Sequence, residues 1–169
     1  MSKRASIELD FAQRHIELLS CHWPINFSNA VMEIRCINAD RIISLKFNPC
    51  DSDELARVLS SASKHNSEGF EIYCTVNPGT PGINGSISDT HILGSKFHFA
   101  DADTQQSFDS LNSTAPQADF IVTTGTIPFK RAHFYWELTE PSHDLGKWPY
   151  LQRQIAIAHG ADTTISNPS

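Results

Sequence analysis

The feature that most constrains the fold is the stretch Lys96–Asp103, in which an apolar run ends in two aspartates one residue apart. Residues two apart in a β-strand point to the same face, so the pattern predicts that Asp101 and Asp103 project side by side from the end of a strand. Two carboxylates held this close repel each other, and burial adds to that penalty. A divalent cation between them would relieve the repulsion, which makes the pair a candidate metal site. The alternative is an Asp-rich turn after a core strand, continued by Thr104.

The length of 169 residues fits a single domain with one core. A hydrophobic content of 40% with 19% charged residues is typical of a soluble globular protein. The polar N-terminal residues are followed by Glu and Asp, so they do not form a secretory signal, and no apolar run is long enough to span a bilayer. We therefore expect a cytoplasmic protein with no membrane partner.

The four cysteines, Cys21, Cys36, Cys50 and Cys74, are scattered along the chain, which favours buried, reduced thiols. A zinc site built from Cys21, His22 and a distant cysteine is the alternative, but structural zinc usually takes paired ligands from a short knuckle, so we do not expect zinc. The net charge of −6 argues against a protein that coats nucleic acid non-specifically. A local basic groove stays compatible with that charge.

Hydrophobic periodicity and turn residues predict alternating helices and strands. The predicted helices are Asp10–Leu19 with Asp10 as N-cap, one capped by Asp51 or Ser52 that fades before Gly69, Gln105–Leu111 and Asp144–His159. The predicted strands are Ala30–Ile37 and Arg41–Phe47 as a hairpin, Phe70–Val76, the strand that ends at the aspartates, Asp119–Thr124 and Arg131–Leu138.

Three further details of this pattern bear on the site. The stretch Asn77–Ser95 is rich in Gly, Pro, Asn, Ser and Thr, which predicts a loop that is functional, mobile or a tolerated surface insertion. The last helix places Leu145, Trp148, Leu151 and Ile155 near helical spacing, and Gly160 fits its C-terminal end. The alternation of the Arg131 strand predicts His133 and Tyr135 on one face, with Phe134 and Trp136 in the core on the other.

The order of these elements places Lys130, Arg131 and His133 within reach of the acidic pair in one cleft. Carboxylates hold divalent ions, whereas Lys, Arg and His bind phosphate oxygens by charge-assisted hydrogen bonds. Together they are the groups that nucleotidyl transfer requires, in which two metals activate the attacking oxygen and stabilise the leaving one. The competing interpretation of His133 is a strand histidine that is satisfied by a neighbour.

Several segments of the C-terminal half resemble the archaeo-eukaryotic primase superfamily, and most closely the primase-polymerase domains of plasmid and phage replication proteins. The segments are Phe97–Asp103, Ile121–Gly125, Arg131–Leu138 with Glu140-Pro141, Gly160-Ala161-Asp162 and Asn167-Pro168-Ser169. That family has three motifs: an acidic pair ending a strand, a small residue followed by any residue and His, and a third acidic residue. Asp101 and Asp103 match the first motif, His133 the second, and Asp162 is the candidate for the third. Arg131 stands where a small residue is usual.

The resemblance implies an α+β fold with an RRM-like antiparallel or mixed sheet and packed helices, the catalytic core of these primases. It implies a nucleotidyltransferase, a DNA primase or DNA-directed polymerase, that carries out metal-dependent, template-directed nucleotidyl transfer for primer synthesis in plasmid or phage replication. The implied partners are a single-stranded DNA template, nucleoside triphosphates and a replicative helicase.

The resemblance also assigns roles to residues. The catalytic and metal-binding residues would be Asp101, Asp103 and Asp162, which hold two Mg²⁺ or Mn²⁺ ions, and the nucleotide-binding residues would be His133, Arg131 and Lys130. The competing interpretation of Asp162 is a turn cap with Thr163 and Thr164. Related chains generally continue past the Pro-Ser, so residues 1–169 are expected to be a single catalytic domain that is either truncated at its C-terminus or a minimal form.

Two alternatives belong to other classes. A non-catalytic RRM-type module for single-stranded nucleic acid would use exposed aromatic residues on its sheet and no metal. A nicking relaxase would need two histidines one residue apart, and the sequence contains no His-x-His. The RRM-type module is therefore the main alternative to the enzyme.

Overall fold

The computed structural model describes residues 8–21, 23, 27–164 and 167–168. These residues form two compact units, one from the described residues up to Leu93 and one from those of Gly94–Pro168. Each unit contains a three-stranded antiparallel sheet, and the described helices accompany the sheets in both units. This is the α+β class that the sequence predicts, while the expectation of a single domain over residues 1–169 stays a prediction. No helix in the described ranges is both long enough and apolar enough to cross a bilayer.

Among its described residues, the first unit contains two α-helices, a short 3₁₀-helix at Asp89–His91 and three strands. The α-helices and strands are α1 (Leu9–Ser20), β1 (Met32–Ile37), β2 (Ile42–Phe47), α2 (Ser52–Ser67) and β3 (Glu71–Cys74), and the sheet order is β2-β1-β3. The predicted hairpin is confirmed, because β1 and β2 pair in antiparallel register with Ile37 opposite Ile42.

The two helices of the first unit differ in how well the sequence predicted their starts. Asp51 caps α2 as predicted, because its side chain accepts hydrogen bonds from the backbone N–H groups of Asp53 and Glu54. The prediction for α1 is wrong: Glu8 is the N-cap residue and Asp10 lies inside the first turn. The pair Trp23-Pro24 is expected to end this helix, and α1 ends before it, at Ser20; Pro24 itself lies outside the described residues.

The loop between β3 and the second unit is packed, which its Gly- and Pro-rich composition does not predict. Ile87 is buried, and its backbone N–H donates to the carboxylate of the buried Glu33 on β1 at 2.8 Å. Arg35 donates from Nε to the same carboxylate at 2.9 Å and from its guanidinium to the carbonyl of Ile87. The buried Glu33 and the partly exposed Arg35 of β1 therefore hold this loop at Ile87, while its interpretation as functional, mobile or a tolerated surface insertion stays a prediction.

The cysteines only partly match the prediction of buried thiols. All four are free; Cys36 is buried and Cys74 is half-buried, but Cys21 and Cys50 are exposed. Burial raises the pKa of the Cys36 thiol, which keeps it in the neutral form. The zinc alternative rests partly on His22, which lies outside the described residues.

The second unit has the element order β-α-β-β-α. It contains β4 (Ser95–Ala102), α3 (Gln105–Ser113), β5 (Phe120–Gly125), β6 (Arg131–Ser142) and α4 (Trp148–His159), with the sheet order β4-β6-β5. The first strand therefore lies beside the third, and the hairpin β5-β6 completes the sheet. These are five of the six elements of the ferredoxin-like βαββαβ unit, so the predicted RRM-like sheet is confirmed as an antiparallel one.

The sheet of the second unit has one face that packs on α3 and α4. Its buried cluster contains Ala100, Ala102, Phe108, Leu111, Ala132, Phe134, Ala156 and Ala161, with Trp136 packed against it. Phe134 and Trp136 are thus core residues, as their alternation predicts. The opposite face carries Asp101 and His133 together with a cluster of aromatic rings, Phe97, Phe99, Phe120 and Tyr135.

Helix α4 begins later than the sequence predicts, and only part of its predicted apolar set is buried. It starts at Trp148, with Pro149 in the first turn. Proline fits this position because the N–H that it lacks would have no partner within the helix there. Its buried residues are Trp148, Gln152 and Ala156, whereas Leu151, which helical spacing groups with Trp148 and Ile155, is 46% exposed. Gln152 can be buried because its amide forms two hydrogen bonds with the backbone of Phe99: it accepts from the N–H at 3.2 Å and donates to the carbonyl.

Candidate active site

Asp101 and His133 lie directly opposite each other on β4 and β6. Opposed residues of an antiparallel pair share a face of the sheet, and the Nε2 atom of His133 lies 3.4 Å from Oδ2 of Asp101. The other ring nitrogen, Nδ1, lies 3.4 Å from the hydroxyl of Tyr135 on the same strand. The ring of His133 is therefore placed between an acid and a hydroxyl, on the face that the sequence predicts.

The second carboxylate oxygen of Asp101, Oδ1, is buried and has no hydrogen-bond partner among the described residues. A buried, unpaired carboxylate oxygen carries an energetic penalty that native structures usually avoid. A bound divalent cation would remove that penalty, because carboxylate oxygens are the ligands that Mg²⁺ and Mn²⁺ prefer. The donor atoms at the end of β4 thus fit a divalent metal ion.

Asp103 lies one residue beyond the end of β4, just before Thr104, the N-cap residue of α3. Its pKa is raised by loss of solvation and by the negative charges of Asp101 and Asp162, and the positive charges of Arg131 and His133 partly oppose that shift. The carboxylates of Asp101 and Asp162 are therefore close enough to Asp103 to repel its negative charge. This is the repulsion that the spacing of the two aspartates predicts.

Asp162 is brought to the same strand end by the way α4 terminates. Gly160 adopts the left-handed conformation with φ of +62°, as its position in the sequence predicts, and reverses the chain. Two residues later the backbone N–H of Asp162 donates to the carbonyl of Asp101 at 3.1 Å. The main chain of Asp162 is thus hydrogen-bonded to the residue that carries the first carboxylate.

The carboxylate of Asp162 is nevertheless engaged in a turn. It accepts hydrogen bonds from the backbone N–H and from the hydroxyl of Thr164, each at 2.8 Å. In the described part of the chain, no group of three or more His, Cys, Asp and Glu side chains is arranged to hold a metal ion. Asp162 therefore caps a turn with Thr164, as the competing interpretation predicts, and its assignment as a metal ligand stays a prediction.

The basic residues of the predicted site divide between two positions. Arg131 is the first residue of β6 and lies opposite Gly125 of β5. Its positive charge partly opposes the rise in the pKa of Asp103. Lys130 instead places its ammonium group 4.8 Å from the centre of the Phe108 ring of α3. The structure thus groups Arg131 with the acids and His133, and it places Lys130 against a ring of the helix-covered core cluster.

Two residues that support the site were not identified from the sequence. A Cβ atom at Gly125 would lie 2.6 Å from Nη2 and 2.9 Å from Nε of Arg131, so the guanidinium lies directly against the glycine backbone. Gln152 joins α4 to the β4 backbone just before Asp101. The sequence could have indicated Gln152, since it lies four positions from both Trp148 and Ala156 and so shares their helix face. No local pattern indicated the role of Gly125.

The fold resembles the α+β fold of an archaeo-eukaryotic primase (AEP) domain. The solved AEP domain of the cyanophage S-2L primase-polymerase (PrimPol) has a similar structure, with a TM-score of 0.59 over 92% of this chain and 78% of that one. The two sequences are 22% identical, so this likeness shows the fold. No family model matches the sequence, and no curated protein matches it either.

Proposed function

We propose that the protein is a nucleotidyltransferase, a DNA primase-polymerase domain that extends or starts strands on a single-stranded DNA template from nucleoside triphosphates. The observation that carries this proposal is the end of β4, where Asp101 has a buried carboxylate oxygen with no partner among the described residues, Asp103 follows two residues later, and His133 lies opposite Asp101. A role in plasmid or phage replication alongside a replicative helicase belongs to the same proposal.

The acids are the residues that would hold the metal. Asp101 and Asp103 would bind Mg²⁺ or Mn²⁺, and Asp162 would join them once its carboxylate leaves Thr164. When bound, divalent ions at such a site activate the attacking hydroxyl and neutralise the triphosphate. The pKa of Asp103 is raised by loss of solvation and by repulsion from Asp101 and Asp162, and a bound cation would offset both effects.

The neighbouring cations would bind and orient the triphosphate. The guanidinium of Arg131 is held against Gly125, so less conformational entropy is lost when it binds a phosphate. The ring of His133 is oriented by Asp101 and Tyr135, which places a nitrogen donor beside the acids. Lys130 would first have to leave the ring of Phe108, so its contribution would be smaller.

The sheet of the second unit supports the RRM-type binding module less well than it supports the enzyme. Such modules stack bases on aromatic side chains exposed on the central strands. Here the rings of Phe97, Phe99 and Tyr135 on β4 and β6 are buried. A base has no exposed ring to stack on among the described residues of these two strands, and we therefore favour the enzyme.

A primer-synthesis assay on single-stranded DNA, with ribonucleotides and deoxyribonucleotides in separate reactions, tests the proposal. The wild type should incorporate nucleotides with Mn²⁺ and not with EDTA, and Asp101→Ala and Asp103→Ala should abolish incorporation. Both variants should keep the wild-type melting temperature or exceed it, because each removes a repulsive charge. Asp109→Ala, which removes an exposed carboxylate of α3, is the matched control. Extension by either site variant near the wild-type rate would locate the site elsewhere.

A further inference from the structure

The outward face of α4 carries a basic and aromatic surface that the candidate active site does not use. Lys147, Tyr150 and Arg153 are all exposed and follow each other at intervals of three residues, so neighbouring side chains lie side by side on the helix. We call these three residues the α4 ridge. The buried residues of the same helix, Trp148, Gln152 and Ala156, point to the opposite side.

The charge of this surface is unusual for the chain. The protein has 19 acidic residues and a net charge of −6, yet the twelve residues of α4 include no Asp or Glu. Among the described residues, the side chains of Lys147 and Arg153 take part in no ion pair, and Tyr150 in no side-chain hydrogen bond. The ring of Tyr150 is 65% exposed, between two cations.

We propose that the α4 ridge binds the single-stranded DNA template, an inference that rests on the proposed function. Proteins that bind single strands without sequence preference combine cations that contact phosphates with aromatic rings on which bases stack. Lys147 and Arg153 supply the cations, and Tyr150 supplies the ring. Leu151 and Ile157, which are 46% and 55% exposed beside the ridge, extend the apolar contact.

The position of the helix supports a template instead of a second copy of the chain. The C-terminal end of α4 leads through Gly160 to Asp162, whose N–H is bonded to Asp101, so a strand that follows α4 approaches the candidate active site. Tyr150 is ten residues from Gly160, which is about 15 Å along a helix. A second copy that packed ridge against ridge would bring like charges together, which is unfavourable.

Fluorescence anisotropy with a labelled oligo-dT tests the surface, in EDTA and without nucleotides so that the metal site takes no part. Tyr150→Ala should weaken binding about tenfold, or about 1.4 kcal/mol, the loss expected for one stacked base. Lys147→Ala and Arg153→Ala should each weaken binding and reduce the salt dependence by about 0.7 in the log–log slope. The matched controls are Tyr73→Ala, an exposed tyrosine of β3, and Arg57→Ala, an exposed arginine of α2; both should bind as the wild type does.

The results separate this inference from the proposed function. If the wild type binds oligo-dT through the ridge but incorporates no nucleotide, the enzyme proposal fails and the ridge stands. The inference is wrong if the wild type does not bind oligo-dT. It is also wrong if Tyr150→Ala and the Lys147→Ala/Arg153→Ala double variant both bind with wild-type affinity. The same conclusion would follow if Tyr150→Ala only converted a dimer to a monomer, as seen by light scattering, without changing DNA binding.

Discussion

The backbone N–H of Asp162 donates a hydrogen bond to the carbonyl oxygen of Asp101, with an N···O distance of 3.1 Å. The two residues are about sixty positions apart in the chain: Asp101 lies on β4, and Asp162 follows the end of α4. The bond depends on the chain reversal at Gly160, whose positive φ a glycine adopts without strain. It brings the third predicted acid to the strand end that carries the other two.

We predict opposite effects for two substitutions at this junction. Asp162→Asn should weaken Mn²⁺ binding about tenfold or more, because it removes an anionic ligand and keeps the backbone hydrogen bond. Thr164→Val should keep or strengthen Mn²⁺ binding, because it removes the hydroxyl that competes for the carboxylate. Isothermal titration calorimetry with Mn²⁺ measures both, with Asp109→Asn as the control. Wild-type affinity in Asp162→Asn would show that Asp162 only caps the turn.

His133 should act on the nucleotide and not on the metal. His133→Ala is expected to raise the KM for nucleoside triphosphates about tenfold, the loss of one charge-assisted hydrogen bond, with little change in Mn²⁺ affinity. Steady-state kinetics and Mn²⁺ titration of the same preparation provide the two readings. If the variant loses Mn²⁺ binding, His133 is a metal ligand and the assignment is wrong.

Gly125 should be needed for the position of Arg131. Its backbone does not have a positive φ, so alanine is tolerated by the main chain and the new Cβ acts only on the guanidinium that lies 2.6 Å away. Gly125→Ala should raise the nucleotide KM as Arg131→Ala does, and the double variant should be no worse than Arg131→Ala alone. Thr124→Ala, at the preceding exposed position of β5, is the control. Additive effects of the two substitutions would contradict this role.

The stability of the fold should decrease in mild acid because of His98. Burial lowers the pKa of this histidine, which stacks on Trp148, while its hydrogen bond with Gln152 partly opposes the shift. Below about pH 6.5, the ordinary histidine pKa, the unfolded chain takes up a proton before the folded chain does. The contribution of His98 to the free energy of unfolding is therefore fully present above that pH and is lost as the pH falls toward the folded-state pKa. The loss is at most about 1.4 kcal/mol per pH unit.

Urea unfolding between pH 7.5 and 5 measures this contribution. His98→Phe keeps a ring beside Trp148 and cannot titrate, so its stability should depend less on pH than that of the wild type. Identical pH profiles for the wild type and His98→Phe would show that another group is responsible.

Much of the second unit follows from local sequence alone. The apolar run before Asp101 predicts β4, the alternation around His133 predicts which side of β6 is core, and Gly160 predicts the end of α4; the structure contains all three. These features depend on side-chain period and on the backbone conformation that a single residue allows. Such constraints act over a few residues, so they can be read without knowing the partners.

Other features depended on contacts between distant residues. Gln152 is buried and Leu151 exposed because the amide of Gln152 meets the backbone of Phe99, fifty-three residues away. The loop before β4 is packed because Ile87 meets Glu33, fifty-four residues away. A polar group is stable inside a protein only when its partners are in place, and those partners are set by the register of the strands and the docking of the helices. The sequence by itself therefore determined the elements and the acidic and histidine motif, whereas the tertiary structure decided which polar groups are buried, where Arg131 and Lys130 lie, and how Asp162 reaches Asp101.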